Sequence, residues 1–163
     1  MVVFAATVAM AQSKVAHVDT QKLLDTLSSR KEAIKKLQEF EVNGMKELEE
    51  MEKDMQNAMT VFEQKKKDMT PMILKIEEDK LNRKYQNIQE RQNSLQQELQ
   101  MYSQELNKPI LERVEKSIEI VSDRKKLSYV LDSSATLYRK GGMDITAEVM
   151  VELLRLDAEA TKN

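Results

Sequence analysis

Residues 62–74 read FEQKKKDMTPMIL, a polar interruption between two long stretches of regularly spaced apolar residues. Three lysines and an aspartate follow one another at 65–68, and Pro71 disfavours a helical conformation at Thr70. The interruption therefore predicts a turn between two helices, with its tip near 66–72. A continuous rod that dimerises stays open as the alternative, because proline is tolerated at the first position of a helix.

On both sides of this turn, mainly apolar residues recur every seven positions, which is the heptad pattern of a coiled coil. Before the turn, the row is Ile34, Glu41, Leu48, Met55, Phe62 and Met69, with Leu37, Met45, Met51 and Met59 beside it. After the turn, the row is Leu74, Leu81, Ile88, Leu95 and Tyr102, joined by Tyr85, Leu99 and Leu106. Two such stretches predict an antiparallel helical hairpin over residues 29–108, with arms about 50–60 Å long.

The amino-terminal flank of the hairpin carries a short strand signal. Residues 14–19 read KVAHVD, with β-branched residues in a tight run, and they predict a strand. Asp19 then predicts the N-cap of a short helix that contains Leu23, Leu24 and Leu27. Ser28-Ser29 marks a break or a new helix cap before the first arm.

The carboxy-terminal flank predicts more strands and a final helix. Pro109 predicts that the returning arm ends or bends near Lys108. Residues 127–132 and 135–139 predict two strands, and glycines at 141 and 142 suit a turn that needs positive φ. Residues 144–146 then predict the cap of a last helix.

Three short strands cannot form a complete sheet on their own, because they leave open edges and half-covered apolar faces. We therefore expect residues 14–28 and 109–163 to form a small α/β body that oligomerises through its strands in a β-barrel-like sheet. The residues expected on these strands are Val15, Val18, Val130, Leu131, Leu137 and Tyr138. The predicted fold is thus mainly α with a small β component, the hairpin being inserted in the body.

Residues 1–11 read MVVFAATVAMA, an apolar run that ends in Ala9-Met10-Ala11. Small residues on both sides of a larger one match a signal-peptidase site, and the run is too short to span a bilayer. We expect this segment to be the remnant of a cleaved export signal. The alternative is a buried amino-terminal strand or helix.

Composition argues against several classes of function. The formal net charge is −2 and the basic residues are interspersed with acidic ones, so we expect no binding to nucleic acid. There is no cysteine, and the single histidine, His17, has no recognisable catalytic partner. With no phosphate-binding loop and no cluster of metal-ligating residues, the sequence predicts neither an enzyme, a catalytic residue, a metal site nor a cofactor.

Three stretches resemble the Skp/OmpH family of periplasmic chaperones for outer-membrane proteins. They are KVAHVDTQK at 14–22, NKPI at 107–110, and the tail from YVLD at 129–132 through YRKGGMDIT at 138–146. The tail is the most specific, because it joins strand, turn and capped helix in the order that the family has. The likeness extends over nearly the whole chain that would remain after removal of the signal.

This resemblance implies a periplasmic homotrimer with three hairpin arms around a central cavity. Unfolded outer-membrane proteins would be held in that cavity without ATP. The chain departs from well-known members in its charge, because they are strongly basic with positive arm tips and this chain is mildly acidic. The departure puts the client range and any contact with anionic lipid in question.

Methionines in the arms are the candidate client contacts, because a flexible, polarizable side chain adapts to varied apolar partners. The candidates are Met45, Met51, Met59, Met69 and Met72. The alternative for each is that it fills an irregular seam between the helices.

Lysines near the turn form a candidate basic tip that could attract acidic client segments or an anionic lipid surface. They are Lys65, Lys66, Lys67 and Lys75. Their alternative interpretation is a solvated helix end whose positive charge offsets the helix dipole.

A second class of function also fits these features. A structural or tethering coiled-coil oligomer would need the same hairpin and the same open strands but would bind no unfolded client. A prefoldin-like subunit fits less well, because its helices lie at the ends of the chain and its strands in the middle.

Overall fold

The computed structural model describes residues 14–160, so the expected export signal at 1–11 lies outside the described residues. The elements in chain order are β1 (Val15–Val18), α1 (Thr20–Thr26), α2 (Ser28–Lys65), a 3₁₀ turn (Lys66–Asp68), α3 (Pro71–Lys125), β2 (Tyr129–Asp132), a second 3₁₀ turn (Ser133–Ala135), β3 (Met143–Asp144) and α4 (Thr146–Ala160). Long helices with a small sheet agree with the predicted fold class.

The described chain divides into two compact units. One is the hairpin, Lys31–Asn107, and the other is the body, which comprises the described residues on both sides of it. Helices α2 and α3 each contribute residues to both units.

The body contains a three-stranded parallel sheet in the order β2-β1-β3. Val15 pairs with Tyr129 and His17 with Leu131, while Ala16 pairs with Met143 on the other side of β1. Helices α1 and α4 pack against each other, and α4 also contacts β1. The fully buried apolar side chains of the body are Val18, Leu23, Leu27, Val121, Ile145, Val149 and Leu153.

Helices α1 and α4 of the body each begin at a capping aspartate, and a hydrogen bond connects the two caps. The Asp19 carboxylate accepts a hydrogen bond from the Lys22 N–H at 2.9 Å, as an N-cap does. Asp144 accepts from the Thr146 N–H, also at 2.9 Å. The backbone N–H of Asp19 in turn donates to the Thr146 hydroxyl at 3.0 Å, which ties the start of α1 to the start of α4. Both predicted caps are therefore confirmed.

Contacts between α2 and α3 show that the unit Lys31–Asn107 is an antiparallel hairpin and not a continuous rod. Leu48 of α2 packs with Ile88 and Leu95 of α3 in one buried cluster. The rings of Phe40 and Tyr102 lie 5.2 Å apart. Ion pairs also join the arms, with Arg91 Nη2 at 2.9 Å from Glu47 Oε2 and a second pair between Lys84 and Asp54.

The packed face of α2 departs from the predicted sevenfold row. Within the hairpin unit, the buried or half-buried residues of this helix are Ala33, Leu37, Phe40, Gly44, Leu48, Met51, Met55, Ala58 and Phe62. Two successive steps of four residues, from Phe40 to Gly44 and on to Leu48, break the alternation of threes and fours, which is a stutter. Glu41 and Ile34 were therefore placed wrongly, and both are exposed.

Gly44 stands at this stutter because the two arms come close together there. A methyl group at position 44 would meet Cδ2 of Leu95 at 2.8 Å. Leu95 is itself buried in the cluster described above, so it has little room to move. The row predicted on α3 is confirmed from Leu74 to Tyr102, all of whose members are buried or half-buried, although Tyr85 beside it is exposed.

Two expectations from the local sequence need correction. Of the two outcomes expected at Pro109, an end of the helix near Lys108 is wrong, because α3 runs through Pro109 to Lys125. Burial of Ile110 and Val114 in the body favours continuation and outweighs the hydrogen bond that proline cannot donate.

The second error concerns residues 135–139, which form no strand. Asp132 accepts hydrogen bonds from the N–H and the hydroxyl of Ser134, both at 2.7 Å, and so starts a 3₁₀ turn at Ser133–Ala135. The third strand is instead Met143–Asp144, and Leu137 and Tyr138 belong to no strand.

Candidate functional site

Three of the five candidate methionines present large exposed surfaces on the hairpin. The exposed fractions are 58% for Met45, 47% for Met59 and 76% for Met72. Each lies outside the seam, so the packing between the arms does not use these side chains. The structure therefore leaves all three available to a partner.

The other two candidates are partly covered. Met51 packs against the cluster of Leu48, Ile88 and Leu95, so for this residue the alternative of filling the seam applies. Met69 is half-buried and lines a groove near the turn, together with Phe62 and Leu81.

This groove near the turn, the tip groove, has a volume of about 450 Å³ and combines an apolar lining with charged residues. Its apolar lining is Ala58, Val61, Phe62, Met69 and Leu81, and its charged lining is Asp54, Lys65, Glu77, Lys80 and Lys84. An apolar floor between charged side chains suits an extended chain with mixed polarity better than a compact ligand.

Neighbouring carboxylates offset the positive charge of the lysines in the predicted basic tip. Lys65 ends α2, Lys66 and Lys67 lie in the 3₁₀ turn, and Lys75 is in the first turns of α3. Lys66 forms an ion pair with Glu63 at 2.5 Å. Residues 63–80 contain five lysines and five carboxylates, so this end of the hairpin has a formal charge of zero. Lys66 and Lys80 are thus ion-paired at this end of the hairpin, whereas Lys65, Lys67 and Lys75 form no ion pair with a described residue.

Apolar residues other than methionine add to the exposed surface, and they were not among the candidates predicted from the sequence. Val42, Val61, Ile73 and Ile76 are each about half exposed. They could have been found as β-branched residues that fall outside both sevenfold rows, a place where apolar side chains are not needed for coiled-coil packing.

The sheet of the body has one face packed against the core and an outer face that is partly exposed. Ala16 and Val18 are each 2% exposed and point into the core, so Val18 is not available for contact with a second chain. Val15, Tyr129 and Leu131 are exposed on the opposite side. Val130 is half-buried, while Leu137 and Tyr138, although not on a strand, are strongly exposed.

His17 is nearly buried at the centre of the sheet. Its Nε2 lies 3.7 Å from Oδ2 of Asp144 on the neighbouring strand. Hydrogen bonds from Thr146 lower the pKa of Asp144. The carboxylate is thus used to start α4, which supports a structural role for this histidine–aspartate contact.

The described residues contain neither a metal-binding cluster nor a membrane-spanning helix. Within residues 14–160, no group of histidine, cysteine and carboxylate side chains has an arrangement that could hold a metal ion. No helix in that range is long and apolar enough to cross a membrane.

The described chain thus consists of a small mixed α/β body and a long helical hairpin. Residues 14–153 match the model of the family described as "Outer membrane protein (OmpH-like)", and the chain belongs to this family. The resemblance noted in the sequence is therefore confirmed.

Curated relatives are chaperones. The chain is 23% identical over 145 residues to "Chaperone protein Skp" of Photorhabdus laumondii subsp. laumondii, covering 89% of this chain and 88% of the relative. It is 24% identical, with the same coverage, to the protein of that name from Photorhabdus luminescens.

A solved structure has the same fold. It is described as an outer membrane chaperone (OmpH-like) from Caulobacter crescentus CB15, and it superimposes with a TM-score of 0.77 over 97% of this chain and 92% of that chain. The sequence identity is 21%, so this likeness concerns the fold alone.

Proposed function

We propose that the protein is an ATP-independent holdase chaperone of the periplasm, which binds unfolded outer-membrane proteins in the cavity between its helical arms. The observation that carries this proposal is the exposure of Met45, Met59 and Met72 outside the seam of the hairpin. A holdase needs many adaptable apolar contacts and no single shaped pocket, and methionine supplies such contacts. The chaperone names of the relatives support the same conclusion.

The proposed assembly is a homotrimer. Strands β2 and β3 are the edges of a three-stranded sheet, and the outer face of that sheet exposes Val15, Tyr129 and Leu131 around the nearly buried His17. Open edges and exposed apolar side chains favour pairing with further copies of the chain. Leu137 and Tyr138 add apolar surface to this region of the chain. Native mass spectrometry of the purified protein would test the assembly, and a stable monomer would contradict it.

The proposed role of the tip is a weak contact with acidic client segments or with anionic lipid. Lys65, Lys66 and Lys67 support it as three consecutive cations at the turn. The neutral charge of residues 63–80 indicates that the contact is local and weak.

The activity can be tested by diluting a urea-denatured outer-membrane β-barrel into buffer without ATP and following light scattering. Wild-type protein should suppress aggregation and form an isolable complex. Replacing Met45, Met59 and Met72 by glutamine should weaken the suppression, whereas replacing the same three by leucine should preserve it. Absence of both suppression and complex with wild-type protein at micromolar concentration would favour the tethering coiled-coil oligomer instead.

A further inference from the structure

A second groove lies midway along the hairpin, and we call it the mid-arm groove. It has a volume of about 490 Å³, and its apolar lining consists of Val42, Met45 and Leu48. Leu48 belongs to the buried cluster, but Val42 is 51% exposed and Met45 is 58% exposed. The mid-arm groove therefore offers apolar surface that the packing between the arms does not cover.

Carboxylates surround this apolar lining. Glu41 and Glu49 lie one helical turn to either side of Met45, and Glu52 lies about one turn further along, so all three share the face of α2 that lines the mid-arm groove. All three are exposed, and none of them forms an ion pair with a described residue. Four other acidic residues of the same helix form ion pairs, Glu39 with Lys35, Glu47 with Arg91, Asp54 with Lys84 and Glu63 with Lys66, whereas Glu32 and Glu50 do not.

The surrounding charge does not compensate these carboxylates. Residues 39–54 contain seven acidic residues and two lysines. Lys46 is the only cation that lines the mid-arm groove. Glu49 and Glu52, three residues apart on the helix, also repel each other. A cationic partner would relieve this repulsion, and an anionic partner would increase it.

We infer that the mid-arm groove binds cationic segments of unfolded clients, in which lysine or arginine alternates with apolar residues. The inference rests on the proposed holdase function and names the kind of client segment that this part of the arm selects. The apolar side chains of such a segment contact Val42 and Met45, while its cations lie beside Glu41, Glu49 and Glu52. The mid-arm groove thus binds positively charged segments, whereas the lysines at the tip attract negatively charged ones.

Three labelled, unstructured peptides provide the probe. Their repeating units are Lys-Leu-Gly-Ser, Glu-Leu-Gly-Ser and Lys-Ser-Gly-Ser, and binding to the full-length protein is measured by fluorescence anisotropy at low and at high salt. The Lys-Leu peptide should bind most tightly, because it alone matches both the carboxylates and the apolar lining. Displacement of the bound Lys-Leu peptide by an equal concentration of the Glu-Leu peptide would overturn the inference, because acidic segments are expected at the tip and not in this groove.

Matched variants locate the binding. Replacing Glu41, Glu49 and Glu52 by glutamine should raise the Kd for the Lys-Leu peptide by about three- to tenfold at low salt, with a smaller effect at high salt. The control replaces Glu78, Glu90 and Glu105 by glutamine. These residues are exposed on the same hairpin and do not line the mid-arm groove, so the Kd for the Lys-Leu peptide should change by less than about twofold. An equal loss in both variants would show that net charge, and not this groove, determines binding.

A third variant tests the apolar lining and a separate assay isolates the proposed function. Replacing Val42 by serine together with Met45 by glutamine should weaken the Lys-Leu peptide to the level of the Lys-Ser peptide; no change would contradict the inference. Suppression of barrel aggregation by the wild type, with no peptide selectivity, would refute the mid-arm groove and retain the holdase. Peptide selectivity without suppression of barrel aggregation would refute the holdase proposal and retain peptide binding by the mid-arm groove.

Discussion

Arg113 of α3 and Asp157 of α4 form an ion pair inside the body, with 3.2 Å between Nη2 and Oδ1. The Asp157 side chain is only 3% exposed. Its Oδ2 accepts hydrogen bonds from the Ser28 hydroxyl at 3.3 Å and from the Ser29 N–H at 3.4 Å. One carboxylate therefore joins three helices and provides the negative charge that favours the start of α2.

Replacing Asp157 by alanine should lower the free energy of unfolding by about 3–5 kcal/mol, because the Arg113 guanidinium would be left without its buried partner. Urea unfolding followed by circular dichroism at fixed protein concentration measures the loss. The control is Glu39→Ala, which breaks the exposed pair with Lys35 and should cost about 0.5 kcal/mol or less. Similar losses in the two variants would contradict a special role for Asp157.

Stability should depend on pH through Asp132, whose pKa is lowered mainly by the hydrogen bond from the Thr20 hydroxyl and further by Ser134. A carboxyl group with a lowered folded pKa contributes stability above its unfolded pKa of 3.8, and loses that contribution as the pH falls through the folded pKa. Thr20→Val should therefore destabilise the protein at neutral pH and have less effect in strong acid. Urea unfolding at both pH values measures this difference.

The matched control for that experiment is Thr26→Val, whose lost hydroxyl donates to the Leu23 carbonyl and not to a carboxylate. Its effect on stability should be independent of pH. A Thr20→Val effect that is just as constant would show that Asp132 is not the titrating partner.

Gly44→Ala should destabilise the hairpin by about 1–3 kcal/mol, although alanine favours helices, because the added methyl group overlaps the buried Leu95 side chain. The neighbouring Asn43→Ala, at an exposed position, should be neutral or slightly stabilising. Thermal unfolding of the two variants distinguishes close packing from mere helix propensity. Stabilisation by Gly44→Ala would show that the arms are not in close contact there.

The carboxyl end of α3 has a left-handed residue that is not glycine. Lys126 has φ of 52°, and the Leu127 N–H donates to the Ser122 carbonyl at 2.9 Å, as in a Schellman cap. Lys126→Gly should raise the free energy of unfolding by about 1 kcal/mol. Gly141 also has a positive φ, of 81°, but is already glycine, so Gly141→Ala should lower the free energy of unfolding. Two effects of the same sign would contradict this account.

Replacing Lys65, Lys66 and Lys67 by glutamate should weaken client capture more at low salt than at high salt, because high salt already screens the attraction. Replacing the exposed Lys31, Lys35 and Lys36 changes the net charge equally at a distance from the turn and serves as the control. Complex formation with the denatured barrel is the measurement. An equal loss at both salt concentrations would instead indicate damage to the hairpin.

The parts of the fold that the sequence predicted correctly depend on local, repeating signals. The row from Leu74 to Tyr102 keeps one spacing, so it identified the packed face of α3. Asp19 and Asp144 were recognised as caps because each acts on backbone groups within three residues of itself. The stutter at Gly44 could not be found in this way, because it depends on how closely Leu95 of the other arm approaches.

The candidate site was predicted less completely. Methionine as a residue type identified Met45, Met59 and Met72, which are exposed, but it also selected Met51, which packs in the seam. Val42 and the carboxylates around it were missed because charged residues on a long helix usually form a solvated face. Only the structure distinguished carboxylates with ion-pair partners from those beside exposed apolar surface.

By itself, then, the sequence indicated the hairpin, whose helices are joined in the structure by residues 66–70, and the family resemblance, because heptad spacing and capping act over a few residues of the same chain. The tertiary structure decided which apolar residues are covered, how α3 continues through Pro109, and that Met143–Asp144 supplies the third strand. These outcomes depend on partners far away in the chain, such as His17 for Asp144 and Leu95 for Gly44. Burial against such partners outweighs the local preferences from which the sequence was interpreted.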